Sequence, residues 1–155
     1  MKDEGIPTGR SRWAWGNPSA FPPPSSPFLL HPSSFILSSM PRFAILRHEG
    51  PQGLHWDLLL ESGAAARTWA LPQSPAPGME AIARALADHR LLYLDYEGPI
   101  AGQRGSVTAW DRGTYVCRRQ SETELAVELC GTRVRGLATL RQLPGMADQW
   151  QFAME

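Results

Sequence analysis

The chain has 155 residues, 15 Lys+Arg against 15 Asp+Glu, 43% hydrophobic residues, 14 Gly, 14 Pro and 2 Cys. That suits one small domain with coil attached and leaves little length for a second full domain. Zero net charge without any block of Lys or Arg argues against a wide electrostatic grip on nucleic acid, so any such contact is expected to be local. Cys117 and Cys130 stand alone, without the paired spacing of a zinc knuckle or a disulfide scaffold, and fit a reduced cytoplasmic interior.

Half of the 14 prolines precede Met40, so residues 1–39 are expected to form a disordered Pro/Ser-rich extension. Its apolar triplets Phe28-Leu29-Leu30 and Phe35-Ile36-Leu37 are split by His31-Pro32-Ser33-Ser34 and are too short for a membrane span or a signal-peptide core. Met40-Pro41-Arg42-Phe43 reads like a natural beginning, which makes a start codon placed too early one explanation of the extension. The domain is then 40–155, long enough to close a single core.

From Phe43 onward the apolar positions recur with period two or in short runs bounded by Gly and Pro, which predicts strands at 42–48, 55–61, 66–71, 92–96, 105–110, 113–117, 124–129, 133–140 and 149–153. The fold class is mainly β: a small closed or nearly closed antiparallel barrel with one or two short flanking helices. Turns are expected at Glu61-Ser62-Gly63, Asp111-Arg112-Gly113 and Cys130-Gly131-Thr132. One helix is expected over Met79–Asp88, where Met79, Ile82, Ala83 and Leu86 share a helical face and alanine is abundant. No internal repeat is visible.

Chemistry gathers around three histidines. In Leu54-His55-Trp56-Asp57-Leu58-Leu59-Leu60, alternation sends His55, Asp57 and Leu59 to one face and Trp56, Leu58 and Leu60 to the other. The turn-rich connection Glu49 to Leu54 is short enough for a hairpin to bring His48 beside His55. Two imidazoles and a carboxylate with open positions suit Mn²⁺, Fe²⁺ or Zn²⁺ in a catalytic role. On spacing alone a hydrogen-bonded His-Asp pair is the commoner outcome. A second polar cluster, Asp88-His89-Arg90 followed by Tyr93 and Asp95, offers partners for a phosphate: His89 as general acid or charged hydrogen-bond donor, Tyr93 with its hydroxyl, Arg90 or Arg104 as a planar cationic fork. Trp69 and Trp110 are read as barrel packing residues. Arg118, Arg119, Arg133, Arg135 and Arg141 are read as solvated strand-edge residues in preference to a strip that tracks phosphates.

Together these stretches resemble a known family, the phosphoesterase module of bacterial DNA ligase D and its free-standing single-domain relatives. The matching pieces are Arg42 to His48, Leu54 to Glu61, Thr68-Trp69-Ala70-Leu71-Pro72, Asp88 to Gly98, Arg104-Gly105-Ser106-Val107, Trp110 to Thr114, and the closing Glu124 to Leu129 with Gly131 and Val134-Arg135-Gly136. The likeness runs from about Pro41 to Phe152. It implies a small barrel whose crater binds Mn²⁺ and trims 3′ ends in DNA repair, removing a terminal ribonucleotide and then a 3′-phosphate. Carried over, the metal ligands are His48, His55 and Asp57, and the phosphate-side catalytic pair is His89 and Tyr93. The chain departs from the pattern at Leu59, where ligase-linked members carry arginine, and at Gln73 in place of lysine. A second family arginine has only Arg84 as a loose counterpart.

Each lost charge-assisted phosphate contact weakens binding by about 1.5–3 kcal/mol. Arg47, Arg90 and Arg104 are the candidate substitutes. The sequence thus carries three readings. The first is a Mn-dependent 3′-phosphoesterase acting on nucleic-acid 3′ ends at one rim of the barrel, with a separate ligase or polymerase as candidate partner, no membrane partner and a monomer as the default. The second is a weakened module that binds phosphorylated ends, or a repair partner, without turnover. The third, ranked lowest, is a purely structural barrel in which all three histidines are buried and neutral.

Overall fold

The computed structural model describes residues 40–155, and the extension expected over 1–39 lies outside the described residues. Nine strands are present among the described residues: β1 Arg42–Gly50, β2 Gly53–Ser62, β3 Ala65–Leu71, β4 Glu80–Arg90, β5 Gly98–Pro99, β6 Ser106–Gln120, β7 Glu124–Gly131, β8 Arg135–Gln142 and β9 Gln149–Met154. All pair antiparallel in one sheet of order β1-β2-β3-β4-β9-β8-β7-β6-β5. β1 also pairs with β6, from Arg42 opposite Thr114 to Glu49 opposite Ser106, and this closes the sheet into a ring. The expected β-barrel is therefore present. No helix among the described residues is long and apolar enough to cross a membrane.

Which face is concave follows from the tryptophans. Trp69 on β3 and Trp150 on β9 meet edge to face with centroids 5.6 Å apart although β4 runs between their strands, which side chains accomplish only on the inner side of a curved wall. The intervening residues are Ala85 opposite Trp69 and Ala83 opposite Trp150. Phe43, Ile45, Leu58, Leu60, Leu140 and Phe152 are buried as well.

This packing corrects the helix expected over Met79–Asp88, which is the strand β4. Its alanines are small because two indoles fill the space inside, and small-opposite-large alternation is how a tight barrel closes. Edge pairing to β3 and β9 satisfies its backbone and outweighs the helix propensity of alanine.

The outer face of β1–β3 is also buried. Ala44, Leu46, Leu59, Ala66 and Val107 form a second apolar cluster with Leu94, covered by Leu91, Tyr93, Tyr96 and Ile100. The strand expected at 92–96 is instead a 3-10 helix, Leu91–Leu94, the only helix among the described residues. Its Leu94 dips into the outer cluster, while the Asp95 N–H returns to the Leu92 carbonyl at 3.0 Å. Arg112 Nε donates to the Leu94 carbonyl at 2.7 Å and Arg42 Nη1 reaches Asp95 at 3.1 Å, so two arginines staple this segment to the wall.

Nor is Asp111-Arg112-Gly113 a turn. It lies inside the 15-residue β6, just past a register shift opposite Ile45 and Leu46. Gly113 pairs with Phe43 on one side and Gly131 on the other, and a Cβ there would stand 2.1 Å from the Cys130 carbonyl oxygen. The glycine serves close approach of strands. The turns after β2 and β7 fall where the sequence predicts them, with Gly63 at φ 65°.

Candidate active site

β1 and β2 carry the metal candidates. The tight turn after Gly50 sets His48 directly opposite His55, and Leu46 opposite Asp57. His48 shares its side of β1 with Ala44 and Leu46, residues of the outer cluster, so the site sits on the outer wall beneath the Leu91–Gly105 segment and not in the mouth of the barrel. The imidazole centroids are 4.5 Å apart. Asp57 is 2% exposed, with Oδ2 3.1 Å from His48 Nδ1 and Oδ1 3.0 Å from His55 Nε2. The second approach is near but misaligned, and Oδ1 remains a buried carboxylate oxygen without a hydrogen bond.

The other nitrogen of His48 decides how this cluster reads chemically. Nε2 lies 2.7 Å from the Arg104 carbonyl oxygen, which can only accept, so Nε2 carries the proton. In the neutral ring the Nδ1 lone pair then faces a carboxylate oxygen. Two acceptors at 3.1 Å repel unless a second proton or a cation lies between them. One ligand atom from each of His48, His55 and Asp57 falls within 4.8 Å of the others. The unsatisfied buried Oδ1, the facing lone pairs and the backbone-anchored imidazole all fit a divalent ion held by two nitrogens and a carboxylate.

A cavity of about 350 Å³ opens beside this cluster. His48, Asp57, His89, Arg90, Tyr93 and Arg104 line it, over an apolar floor that includes Leu46 and Val107. Five of the eight residues expected at the site from sequence thus share a cavity with His48, while His55 joins through its approach to Asp57 and His48. His89 is contributed by the last turn-ward residues of β4. Its Nδ1–H donates to the Ala87 carbonyl at 3.0 Å, which leaves Nε2 as the nitrogen able to exchange a proton. The Tyr93 ring stands edge-on to His89 at 5.7 Å and to Tyr96 at 5.4 Å, and the Tyr96 hydroxyl donates to the Pro99 carbonyl.

Arg47 is placed elsewhere. Alternation turns it away from His48, its guanidinium pairs with Glu49, and it does not line the cavity. Arg84 sits exposed on β4 opposite Gln149 and likewise lies outside the lining. Leu59 is fully buried in the outer cluster. The candidate basic strip is largely neutralised, with Arg118 on Glu128 and both Arg119 and Arg141 on Glu124 at 3.0 and 3.1 Å. Arg133 covers the half-buried Trp110 ring at 4.9 Å. Sequence reasoning missed the Arg104 carbonyl, which no side-chain pattern announces.

Comparison with known proteins gives the same direction. The family model described as DNA Ligase D 3'-phosphoesterase domain matches residues 46–142. Over 79 residues, 48% of this chain, the sequence is 34% identical to the multifunctional non-homologous end joining protein LigD of Pseudomonas aeruginosa. That stretch is 9% of the relative's own length, so the likeness concerns one module of a much longer protein. The chain belongs to the DNA ligase D 3′-phosphoesterase domain family.

Proposed function

We propose that the chain is a metal-dependent phosphoesterase that processes nucleic-acid 3′ ends in DNA repair in the cytoplasm, removing a 3′-phosphate or a 3′-ribonucleotide, with Mn²⁺ as the cation. The observation that carries this reading is the convergence of two imidazoles and a buried carboxylate beside a cavity that His48 and Asp57 line together with His89, Tyr93, Arg90 and Arg104. His48, His55 and Asp57 would hold the ion. When bound, a divalent cation there supplies positive charge to a phosphate oxygen.

The chain's own residues do the rest. Arg90 and Arg104 give the phosphate planar donors, and the Tyr93 hydroxyl orients it. Water supplies the new oxygen on phosphorus, and His89 in its imidazolium form gives the leaving oxygen the Nε2 proton while its Nδ1–H stays on the Ala87 carbonyl. The apolar floor of Leu46 and Val107 excludes water from one side of the cavity. Leu59, buried among aliphatic neighbours, favours the second reading, binding without turnover, since it offers a phosphate no charge.

Incubation of the full chain with Mn²⁺ and a primer-template bearing a 3′-phosphate or a 3′-ribonucleotide distinguishes them. A 3′-hydroxyl product supports the enzyme; Mn-dependent retention of the end without product supports the binding module. Neither outcome, from folded protein, removes both.

A further inference from the structure

We infer that the loop Ile100–Gly105 is a positioning device for the metal site: through the main-chain carbonyl of Arg104 it fixes which nitrogen of His48 faces Asp57, while the Arg104 side chain serves the phosphate side of the cavity. The inference rests on the reading of His48, His55 and Asp57 as metal ligands. It assigns the loop a role that no side chain in it reveals.

The loop is built to present that carbonyl. The Ile100 N–H donates to the Gly105 carbonyl at 2.8 Å and closes the loop at its base. Within it the backbone passes through the left-handed region at Gly102 (φ 79°), Gln103 (φ 57°) and Gly105 (φ 90°). A non-glycine residue such as Gln103 adopts that region only where its surroundings hold it there.

Docking onto β1 is by bare backbone. A Cβ on Gly105 would stand 1.9 Å from the Glu49 carbonyl oxygen, and one on Gly50 would stand 3.0 Å from the Arg104 carbonyl oxygen and 3.4 Å from His48 Nε2. Two glycines therefore let the loop approach closely enough for the 2.7 Å contact with His48 Nε2. Separately, the Arg104 Nε–H donates to the Ala101 carbonyl at 2.8 Å, which draws the side chain back along its own loop on the cavity wall. One residue thus meets both halves of the site by two independent groups. A metal-bound histidine anchored through its second nitrogen is held in a single ring orientation and tautomer, and loss of such an anchor weakens metal affinity by roughly 10- to 100-fold.

The two groups of Arg104 separate experimentally. Gly50→Ala wedges against the carbonyl and the ring with a contact that asks for a shift of only a few tenths of an ångström, so the fold is expected to be retained, which circular dichroism checks. Calorimetric Mn²⁺ titration of the full chain is expected to show about 10-fold weaker binding for Gly50→Ala. Arg104→Ala, which keeps the carbonyl, should bind Mn²⁺ within twofold of the native chain yet lose affinity for inorganic phosphate. Long-range ¹H–¹⁵N spectra of the metal-free chain at mildly alkaline pH should report His48 with its proton on Nε2.

Equal loss of Mn²⁺ affinity in both variants, or a His48 proton on Nδ1, overturns the inference. A native chain that takes up no Mn²⁺ defeats the metal-site reading itself, and the imidazole spectrum still decides what the loop does.

Discussion

His89 and His48 illustrate how a single hydrogen bond assigns a residue its chemistry. Each imidazole gives one N–H to a main-chain carbonyl, Ala87 for the first and Arg104 for the second. The remaining nitrogen of His48 faces a carboxylate, whereas that of His89 is left for proton exchange. His89→Ala should therefore lower turnover on a 3′-phosphate end by roughly 10²- to 10⁴-fold while leaving Mn²⁺ affinity unchanged in titration; a parallel loss of metal binding would place His89 among the ligands instead.

Asp111 shows the opposite case, a polar residue whose work is structural. Its carboxylate accepts the N–H groups of Arg112, Thr132, Arg133 and Val134 at 2.8–2.9 Å while itself nearly buried. Hydrogen bonds to a charged acceptor contribute about 1.5–3 kcal/mol each, and buried donors left without partners are costly. Asp111→Ala is expected to cost at least about 3 kcal/mol in urea unfolding, with metal affinity of the folded fraction retained.

At this scale the His48–His55–Asp57 cluster was legible because period-two alternation and a tight turn fix which side chains meet. The grip of Asp111 was not, because three of its four donors come from the turn between β7 and β8, more than twenty residues downstream.

At the scale of elements, the strands whose residues alternate cleanly, β1, β2, β3, β7, β8 and β9, lie close to where the sequence places them. β4 does not, and the reason is specific. Local spacing of Met79, Ile82, Ala83 and Leu86 favours a helix, but the demand for small residues under Trp69 and Trp150 is a property of the closed ring that no local window contains. The 3-10 helix fails for a related reason: Leu91–Leu94 is apolar because it covers the outer wall, not because it pairs with it.

The β4 account makes a direct prediction. Ala83 is fully buried and faces Trp150, so Ala83→Leu should overpack the interior and destabilise by about 1–3 kcal/mol. Ile82, its half-exposed neighbour on the other face, should tolerate Thr within about 0.5 kcal/mol. Comparable costs at the two positions in chemical denaturation would contradict the strand and its facing.

For the molecule as a whole, closure of the ring makes pH a probe of the fold at two separate places. On the acid side, the hydrogen bond from Arg141 and then that from Arg119 hold the Glu124 carboxyl below the usual glutamate range. A depressed value contributes stability above the unfolded value that is lost as pH falls through the folded one. Its exposure to solvent keeps that contribution small.

The alkaline side is governed by Tyr115. Burial first, then the negative charge at Cys117 and Glu61, pushes its phenol well above the ordinary value, and its hydroxyl donates to the Glu61 carbonyl at 2.7 Å, tying β6 to β2 across β1. The folded chain keeps the phenolic proton while the unfolded chain releases it near pH 10. The contribution is therefore complete below about pH 10 and declines as pH rises toward the folded value, with a slope of up to about 1.4 kcal/mol per pH unit.

Tyr115→Phe removes both effects. It should lose about 0.5–1.5 kcal/mol at neutral pH from the missing hydrogen bond and show a shallower decline in urea midpoints above pH 10 than the native chain. Identical slopes for the two proteins would mean that the phenol ionises without leaving its site, and that some other group sets the alkaline limit of the barrel.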